Sequence, residues 1–336
     1  MGAELRRRLL PVGLAACGIV AVIVAVLVTR PGATNSGQLA THPSGLPTPT
    51  PSQPSASAAR PAEPHVMLII EENRGYDGTL GACSADPYLC SLAAQYASYT
   101  AWFAVAHPSA PNYLVIDSGS TQGITSDCTP DGGGCGPFDA EDLGAELSAA
   151  AIPWVAYMEG LPAPCDRVDS SGAYVEKHDP FMYFSDDRGQ GCAAHILPYP
   201  GAARMDATLD ASGAPDFVWI TPNLQHDMHD GSVANGDAWL RSNLPGVLAS
   251  AWFADHGTVI ITMDENDASP AGSCCGAPAG GRIPMVVISA VARGRGGIAS
   301  PGDLYGTLRG IEQVFGLPFL GNASRPDNGD LTPMFG

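Results

Sequence analysis

Lysine is almost missing from this chain of 336 residues, in which Lys177 is the single example. Lysine and arginine together number 16, against 34 aspartates and glutamates, and the formal net charge is −18 at pH 7. The N-terminal 64 residues hold five of the basic and two of the acidic residues, so the rest of the chain is more acidic still. Nucleic-acid binding needs a basic surface that meets the phosphate backbone. We therefore expect no nucleic-acid partner.

Several common site patterns are also absent from the sequence. The glycine run Gly132–Gly134 lacks the Gly-Lys-Ser/Thr ending of a phosphate-binding P-loop, and the cysteines flanking it indicate a stapled surface loop. No cysteine spacing matches that of a zinc ribbon, and no internal repeat is visible. These absences argue against a P-loop nucleotide site and a cysteine-ligated zinc site.

The nine cysteines that are present indicate an oxidising compartment. Eight of them follow residue 64, and an even number in an exported domain favours disulfides over metal thiolates. Short separations predict the pairs Cys83–Cys90, Cys128–Cys135 and Cys165–Cys192. The adjacent Cys274 and Cys275 would pair with each other only with strain, so their state is left open.

The beginning of the chain has the pattern of a membrane anchor. An uncharged stretch, Leu9–Thr29, is preceded by the basic cluster Arg6–Arg8 and followed by Arg30. A helix of that length spans roughly 30 Å, the thickness of the hydrocarbon core. The basic cluster predicts a cytoplasmic N-terminus. Residues 1–30 are therefore predicted to form a single-pass anchor that places the rest of the chain outside the cell membrane.

Two other interpretations of this segment remain open. It could be a cleaved signal peptide of a secreted protein, although no convincing Ala-x-Ala site follows the apolar run. It could also be a lipoprotein signal, because Leu14 and two alanines precede Cys17 as in a lipid-attachment box. Strong apolarity continues beyond Cys17, which favours the anchor.

The chain after the anchor divides into two parts. Residues 31–64 are rich in Pro, Ser, Thr and Ala and have almost no large apolar side chains, so they are predicted to be a disordered, extended tether. Residues 65–336 are long enough for one large catalytic domain.

Short apolar runs alternate with longer helical patterns in this domain. The predicted strands are His65–Ile70, Trp154–Tyr157, Phe217–Ile220, Thr258–Thr262 and Pro284–Ser289. The predicted helices are Pro87–Ser98, Ala140–Ala150, Leu240–Ala254 (disturbed by Pro245) and Pro301–Phe315. Such alternation predicts an α/β fold, a three-layer α/β/α sandwich with a mostly parallel central sheet. Its site is expected beyond the carboxyl ends of the strands.

Acidic residues follow two of the predicted strands directly. Glu71–Asp77 comes after the first strand, and Asp264–Asp267 comes after the strand that ends near Thr262. Parallel strands would bring these segments together, and clustered carboxylate and amide oxygens suit a hard cation. Either segment alone could equally cap a helix or face water, but two at matching strand ends favour a metal site.

A serine and two histidines complete the candidate chemistry. Ser109 lies between Pro108 and Pro111, which restricts its backbone, and a serine hydroxyl needs a base or a metal to become a nucleophile. His178 and His229 lie in polar segments dense with aspartate, where they could hold a phosphoryl oxygen or protonate a leaving alkoxide. The serine segment could instead be a simple turn. A second metal ion is a further alternative, with His226, His229, Asp227 and Asp230 as ligands.

Taken together, these segments resemble the bacterial phosphoesterase family of acid phosphatases and phospholipases C, in the alkaline phosphatase superfamily. The resemblance covers nearly all of 65–320. The family's E-N-R-S-F-D and T-x-P-N motifs are matched by Glu72–Asp77 and Ser109–Asn112. Its Lys-His-Asn-Pro-Phe, Pro-Asn…Asp-x-His and T-x-D-E/D motifs are matched by Lys177–Phe181, by Pro222, Asn223, Asp227 and His229, and by Thr262–Glu265. Gly75, Asp179 and Met263 depart from the family pattern.

The resemblance implies an alkaline phosphatase-like fold and a set of site residues. One divalent metal ion (Ca²⁺, Mg²⁺, Mn²⁺ or Fe) would be held by Glu72, Asn73, Ser109, Asp264 and Glu265. Within the matched motifs, substrate would be bound by Asn112, Lys177 and His178, and the catalytic residues would be Ser109, His178 and His229.

The expected function is hydrolysis of phosphate monoesters by a metal-activated Ser109, through a phosphoserine intermediate. His229 is expected to protonate the leaving group and His178 to clamp the phosphate, with the reverse assignment as the alternative. A phospholipase C-like phosphodiesterase that acts on phospholipid head groups is the second candidate. A non-catalytic, ligand-binding surface module is the candidate from another class. The expected partners are a small phosphate ester or a phospholipid head group, and the membrane.

Overall fold

The computed structural model describes residues 64–132 and 134–336. The predicted anchor and all of the predicted tether except its last residue lie outside the described residues. Within the described ranges, no helix combines the length and the apolarity that crossing a bilayer requires.

The domain alternates strands and helices along the chain. The strands are β1 His65–Glu71, β2 Ala97–Phe103, β3 Trp154–Met158, β4 Ser170–Ser171, β5 Tyr174–Val175, β6 Ile196–Pro198, β7 Phe217–Thr221, β8 Gly257–Met263, β9 Arg282–Ser289, β10 Gly296–Ile298 and β11 Gly302–Asp303. The α-helices are α1 Pro87–Gln95, α2 Ala110–Ser118, α3 Leu143–Ala149, α4 Cys192–His195, α5 Ala202–Leu209, α6 Val233–Ala249, α7 Ala251–Ala254 and α8 Leu304–Phe315. Short 3-10 turns lie at Tyr76–Gly78, Glu176–His178, Pro180–Tyr183, Gly321–Ser324, Pro326–Asn328 and Thr332–Met334.

The central sheet has the strand order β10-β2-β9-β8-β1-β7-β3-β6, and β11 also pairs with β2. Neighbours from β8 to β6 run parallel, which confirms a mostly parallel sheet. The sheet is mixed, however, because β9 runs antiparallel to both β8 and β2. The connection between β8 and β9, residues 264–281, contains no helix, and antiparallel neighbours need no crossover helix.

Both faces of the sheet are covered. Residues 66–71 of β1 and all of β8 are buried, although consecutive side chains point to opposite faces. A strand that is apolar on both faces is typical of a sheet sandwiched between helices. Contacts among the helices divide them into two groups, one containing α1, α5, α6 and α7 and the other α2, α3 and α8.

All of the predicted strands are present, but several helix boundaries differ. The helix predicted over Pro87–Ser98 ends at Gln95, and β2 begins at Ala97. A break in register between Tyr99 and Trp102 disturbs the alternation that would have marked this strand. The helix predicted to begin at Leu240 instead begins at Val233, and Pro245 lies inside it. Helix α2 was not predicted at all, because it is buried on every side and lacks an amphipathic pattern.

The disulfides settle the cysteine pairing. The three predicted pairs Cys83–Cys90, Cys128–Cys135 and Cys165–Cys192 are confirmed. The adjacent Cys274 and Cys275, which the sequence left open, are bonded to each other.

Candidate active site

Three carboxylates meet where β1 and β8 end. These strands are parallel neighbours in which Glu71 lies opposite Met263, so the next residues, Glu72 and Asp264, leave the sheet at the same level. Oxygen atoms of Glu72, Asp264 and Glu265 lie within 4.8 Å of one another. All three side chains are at most 1% exposed. The two acidic segments therefore meet, as the strand-end argument predicts.

The donor set fits a divalent cation. One oxygen of each carboxylate is buried without a hydrogen-bond partner: Glu72 Oε2, Asp264 Oδ2 and Glu265 Oε2. Among the described residues, the ion pairs of this cluster involve histidines and no lysine or arginine. Buried carboxylate oxygens without a counter-charge are unfavourable, and hard cations bind such oxygens. The three carboxylates can therefore hold the metal that the sequence predicts.

The pKa values of these groups show the same need for positive charge. Burial and the neighbouring Glu72 carboxylate raise the pKa of Asp264 well above its ordinary value and that of Glu265 to about 9. Burial acts in the same direction on Glu72, but the charge and contact of His178 overcome it and lower the Glu72 pKa to about 2. Glu72 is thus the anionic centre of the cluster.

Asn73 positions the cluster through its backbone. Its φ is 57°, a left-handed conformation that asparagine tolerates, and its N–H donates a 3.1 Å hydrogen bond to Asp264 Oδ1. Ligation of the metal by the Asn73 side chain stays a prediction. Two residues later, a Cβ on Gly75 would lie 2.5 Å from the side chain of Asn266. This close approach explains why the family's serine or threonine is replaced here.

Ser109 lies against the same carboxylates. It caps the N-terminus of α2, is 1% exposed, and donates a hydrogen bond from Oγ to Glu72 Oε1. Its Oγ also lies 3.4 Å from Glu265 Oε1. The helix dipole makes this end of α2 favourable for negative charge. The predicted nucleophile and the predicted metal ligands are therefore in contact.

Asn112 has a structural role in this geometry. It is fully buried, and its Oδ1 accepts hydrogen bonds from the N–H groups of Val105 (3.1 Å) and Ala106 (3.0 Å). Its Nδ2 donates to the Ala106 carbonyl at 2.8 Å. Asn112 thus fixes the segment that leads into Ser109. The substrate contact expected of Asn112 stays a prediction.

His178 is buried beside the nucleophile. Its Nε2 lies 2.7 Å from Glu72 Oε1, its Nδ1 lies 3.5 Å from Asp227 Oδ2, and the side chain is 3% exposed. The ring stacks on Tyr113 of α2 at a centroid distance of 4.9 Å. Burial opposes its protonation, but the Glu72 carboxylate prevails and raises the pKa of His178 to about 9. His178 is therefore a fixed imidazolium.

His229 approaches the cluster from its solvent side. Its Nε2 lies 3.7 Å from Glu72 Oε2, and its Nδ1 lies 2.8 Å from Asp230. Its backbone N–H donates a 2.7 Å hydrogen bond to Asp227. The His229 side chain is 28% exposed, and its ring centroid lies 6.0 Å from that of His178. Both predicted histidines thus border the predicted metal ligands.

Comparison with known proteins decides the family. The model of the Phosphoesterase family matches residues 82–318. The chain belongs to the phosphoesterase family. It is accordingly a hydrolase of phosphoric esters.

Relatives and solved structures agree with this assignment. The chain is 35% identical over 269 residues to "Phosphatidylinositol-3-phosphatase" of Mycobacterium tuberculosis H37Rv, which covers 80% of this chain and 82% of that protein. It is 27% identical to "Acid phosphatase" of Aspergillus fumigatus, covering 54% of this chain and 41% of that enzyme, so it spans less than half of the fungal relative. An alkaline phosphatase superfamily protein of Vibrio parahaemolyticus superposes with a TM-score of 0.56 at 12% identity, covering 79% of this chain and 72% of that chain. The fold is alkaline phosphatase-like.

The structure of this phosphoesterase adds residues that sequence reasoning did not select. His107 Nδ1 lies 2.9 Å from Glu265 Oε1, and the buried Asp227 holds both catalytic histidine candidates. Asp227 belongs to a matched motif, so the resemblance contained a signal for it, whereas His107 lies two residues before the matched Ser109–Asn112. Asp127 accepts from the Ala110 N–H at 3.0 Å, on the first turn of the nucleophile helix. No local pattern in its loop indicates this placement.

Lys177 takes part in the site through Asp127. Its Nζ lies 2.6 Å from Asp127 Oδ2. Burial would lower the pKa of Lys177, but the carboxylates of Glu72 and Asp127 raise it, so the side chain is a cation near the cluster. Its substrate contact stays a prediction.

The residues of the alternative second metal site near His229 do not converge in the described structure. His226 turns away from the phosphoesterase site and contacts Glu159, with Nδ1 2.9 Å from Oε2. Asp230 is exposed and pairs with His229. Among the described residues, the groups that could hold a metal do not include this set.

A surface cavity of about 650 Å³ opens beside His226. It is lined by the aromatic rings of Tyr199 and Trp239 and by Glu159, at the carboxyl end of β3. β3 is the second strand from β1 and runs parallel to it, so the cavity and the phosphoesterase site both lie at the carboxyl ends of the strands.

Proposed function

We propose that this phosphoesterase is a metal-dependent phosphatase that hydrolyses phosphate monoesters through Ser109, on the outer side of the cell membrane. One observation carries the proposal. Ser109 Oγ touches a carboxylate, Glu72, that shares a buried cluster with Asp264 and Glu265, and each of the three keeps an unpartnered oxygen.

The residues of the catalytic cluster have different roles. Glu72, Asp264 and Glu265 would hold one divalent cation, with Asn73 and Ser109 completing its ligands. When bound, the cation lowers the pKa of the serine hydroxyl and neutralises charge on the transferring group. Glu72 Oε1 contacts Ser109 and His178, while Glu72 Oε2 is the unpartnered oxygen. The two oxygens of one carboxylate thus serve the nucleophile and the metal separately.

The reaction has two displacement steps. The Ser109 hydroxyl, whose pKa a bound cation would lower, loses its proton to solvent, the Oγ–P bond forms, and the P–O bond to the alcohol breaks. His229 gives a proton to the departing alkoxide. Water then attacks phosphorus and gives one proton to His229, so that a new O–P bond forms, the Oγ–P bond breaks, and the serine oxygen takes up a proton from solvent as phosphate leaves. His178 holds the phosphoryl oxygens as a cation throughout.

The different exposure of the two histidines supports their roles. A general acid has to be reprotonated in each turnover, and His229 is 28% exposed whereas His178 is 3% exposed. His178 is moreover fixed between Glu72, Asp227 and the Tyr113 ring, as expected of a clamp. The reverse assignment would require proton exchange at a buried ring.

Two considerations support a monoester substrate and an external location. The two relatives described above carry the names of phosphatases, which supports a monoesterase over a phospholipase C-like diesterase. Four disulfides among the described residues support an oxidising compartment outside the cytoplasm. The membrane anchor at residues 1–30 is part of the proposal on sequence grounds alone.

The test uses the full chain, produced with disulfides allowed to form. p-Nitrophenyl phosphate and p-nitrophenylphosphorylcholine are assayed side by side after EDTA dialysis and after addition of Ca²⁺, Mg²⁺, Mn²⁺ or Fe²⁺. We expect metal-dependent hydrolysis of the monoester that is at least 10³-fold slower in Ser109→Ala. Preference for the phosphorylcholine ester would indicate the diesterase. Unchanged activity in Ser109→Ala would exclude this nucleophile, and no turnover of either ester by a folded, metal-loaded protein would favour a binding module.

A further inference from the structure

A second group of buried carboxylates lies at the other end of the nucleophile helix. Asp117 is on the last turn of α2, Asp142 caps the N-terminus of α3, and Asp187 follows the 3-10 turn Pro180–Tyr183. One oxygen atom from each lies within 4.8 Å of the others. The side chains are 0%, 0% and 8% exposed, respectively, so this is an interior cluster.

Four carboxylate oxygens of this cluster lack a hydrogen-bond partner. Neither oxygen of Asp117 accepts a hydrogen bond, and Asp142 Oδ2 and Asp187 Oδ2 have no partner either. The Leu143 N–H lies near Asp117 and lowers its pKa, but it does not reach hydrogen-bond geometry. A fully buried aspartate with two free oxygens is rare in native proteins and requires a bound ion or shared protons. Asp117 therefore points to a ligand independently of the clustering.

Among the described residues, no positively charged side chain pairs with the carboxylates of this cluster. None of the ion pairs formed by the described residues includes Asp117, Asp142 or Asp187. Arg188 is adjacent to Asp187 in sequence, but its guanidinium contacts the exposed Asp131 at 2.8 Å. The groups that act on the Asp187 charge are all carboxylates. Three buried carboxylates without a cation would be costly as anions.

We propose that Asp117, Asp142 and Asp187 bind a structural divalent cation, Ca²⁺ by preference. The ligand atoms that the cluster brings together are all carboxylate oxygens, the donors that Ca²⁺ prefers, and Ca²⁺ accepts them in flexible geometry. Mg²⁺ keeps several of its waters, for which a site at most 8% exposed has little access. Thiolate and imidazole ligands, which softer metals favour, are absent from this set.

This site is separate from the catalytic one. Asp117 is eight residues beyond Ser109 along α2, which places them about 12 Å apart. The cation would tie the end of the nucleophile helix to α3 and to the loop after Tyr183. Its role is to hold α2 in place, and binding does not require turnover.

The test counts Ca²⁺ ions in the full chain by isothermal titration calorimetry after chelator treatment. The variant Glu72→Gln/Asp264→Asn removes two catalytic ligands and isolates the second site. We expect that variant to bind one Ca²⁺ per chain and to lose this binding when Asp117→Asn is added. Asp86→Asn, at an equally buried aspartate outside both clusters, is the matched control and should keep it.

A melting experiment covers the case in which Asp117→Asn does not fold. At 100-fold Kd, Ca²⁺ should raise the Tm of the Glu72→Gln/Asp264→Asn variant by about 5 °C relative to EGTA. Absence of both Ca²⁺ binding and a Tm shift in this variant would mean that the carboxyls share protons instead. Retention of its Ca²⁺ after Asp117→Asn would likewise overturn the proposal. Neither readout depends on phosphatase activity.

Discussion

At the scale of single residues, the two histidines can be separated by the leaving group of the substrate. p-Nitrophenolate departs without a proton, whereas the alkoxide of a glycerol phosphate needs one. We expect His229→Ala to slow glycerol 2-phosphate hydrolysis by about 10²-fold or more and p-nitrophenyl phosphate hydrolysis much less. His178→Ala should slow both alike, because the phosphoryl group is common to both. Steady-state kcat/KM values for the two esters measure this difference, and equal losses in His229→Ala would reverse the roles.

Asn112 tests whether a residue in a matched motif acts on substrate or on structure. Its side chain accepts from the buried N–H groups of Val105 and Ala106, which Asn112→Ala would leave unpaired. The free energy of unfolding should therefore fall by about 1–3 kcal/mol for each lost partner, measured by urea denaturation. Ser118→Ala is the control, because Ser118 also lies on α2 and its hydroxyl donates a hydrogen bond to the Leu114 carbonyl. A raised KM with unchanged stability would instead make Asn112 a substrate ligand.

At the scale of elements, two helices end alike but in different surroundings. Gly119 ends α2 with φ 65°, and Gly316 ends α8 with φ 68°. A Cβ on Gly119 would lie 2.1 Å from the Leu320 carbonyl oxygen, whereas a Cβ on Gly316 would meet nothing within 4 Å. Gly316→Ala should cost about 1–2 kcal/mol for the left-handed conformation alone. Gly119→Ala should cost clearly more, because backbone has to move.

Thermal or urea unfolding of the two glycine variants provides the comparison. Since α2 carries Ser109 at its other end, Gly119→Ala should also lower kcat, while Gly316→Ala should leave it unchanged. Equal destabilisation by the two substitutions would show that the Leu320 contact relaxes without cost.

The same elements show which parts of the fold a sequence predicts. Strands β1 and β8 are continuous buried apolar runs, and their type follows from local pattern. Their parallel pairing then places Glu72 beside Asp264 without further information. Helix α2 was not predicted because every residue in it is buried, so its sequence lacks an amphipathic period. The strand β9 was predicted, but its antiparallel direction was not, because alternation of strands and helices does not encode strand direction.

At the scale of the whole molecule, whether a site residue could be predicted depends on the element that carries it. Candidate ligands that follow a strand within two residues, such as Glu72 and Glu265, are positioned by the sheet. Asp127 reaches the Ala110 N–H from a long loop, and that loop's path depends on tertiary packing. Asp117 is likewise visible in the sequence only as a polar residue in an apolar helix, and its neighbours come from other elements. Strand-end patterns predict the residues carried by the sheet, and motifs identified loop residues such as His178 and His229, but neither signal identified Asp127 or Asp117.

The buried carboxyls also make stability depend on pH in a definite direction. Glu312 is fully buried, and burial raises its pKa from 4.5 to about 8. Between these values the folded protein holds a proton that the unfolded chain releases. The stabilising contribution is therefore complete below about pH 4.5 and is lost as pH rises through 8, at up to about 1.4 kcal/mol per pH unit. Glutamine resembles the protonated acid and can still accept from the Leu320 N–H, which lies 2.7 Å from Glu312 Oε1.

Urea unfolding at pH 5 to 8, in EGTA, should accordingly show the wild type losing stability faster than Glu312→Gln as pH rises. The difference between the two curves isolates Glu312, because every other buried carboxyl is common to both proteins. Exposed Glu141→Gln is the control and should follow the wild-type curve. Parallel curves for wild type and Glu312→Gln would mean that the Glu312 carboxyl is ionised in the folded protein at neutral pH. In that case the Leu320 N–H alone would suffice to stabilise a buried charge, against the balance of burial and hydrogen bonding argued here.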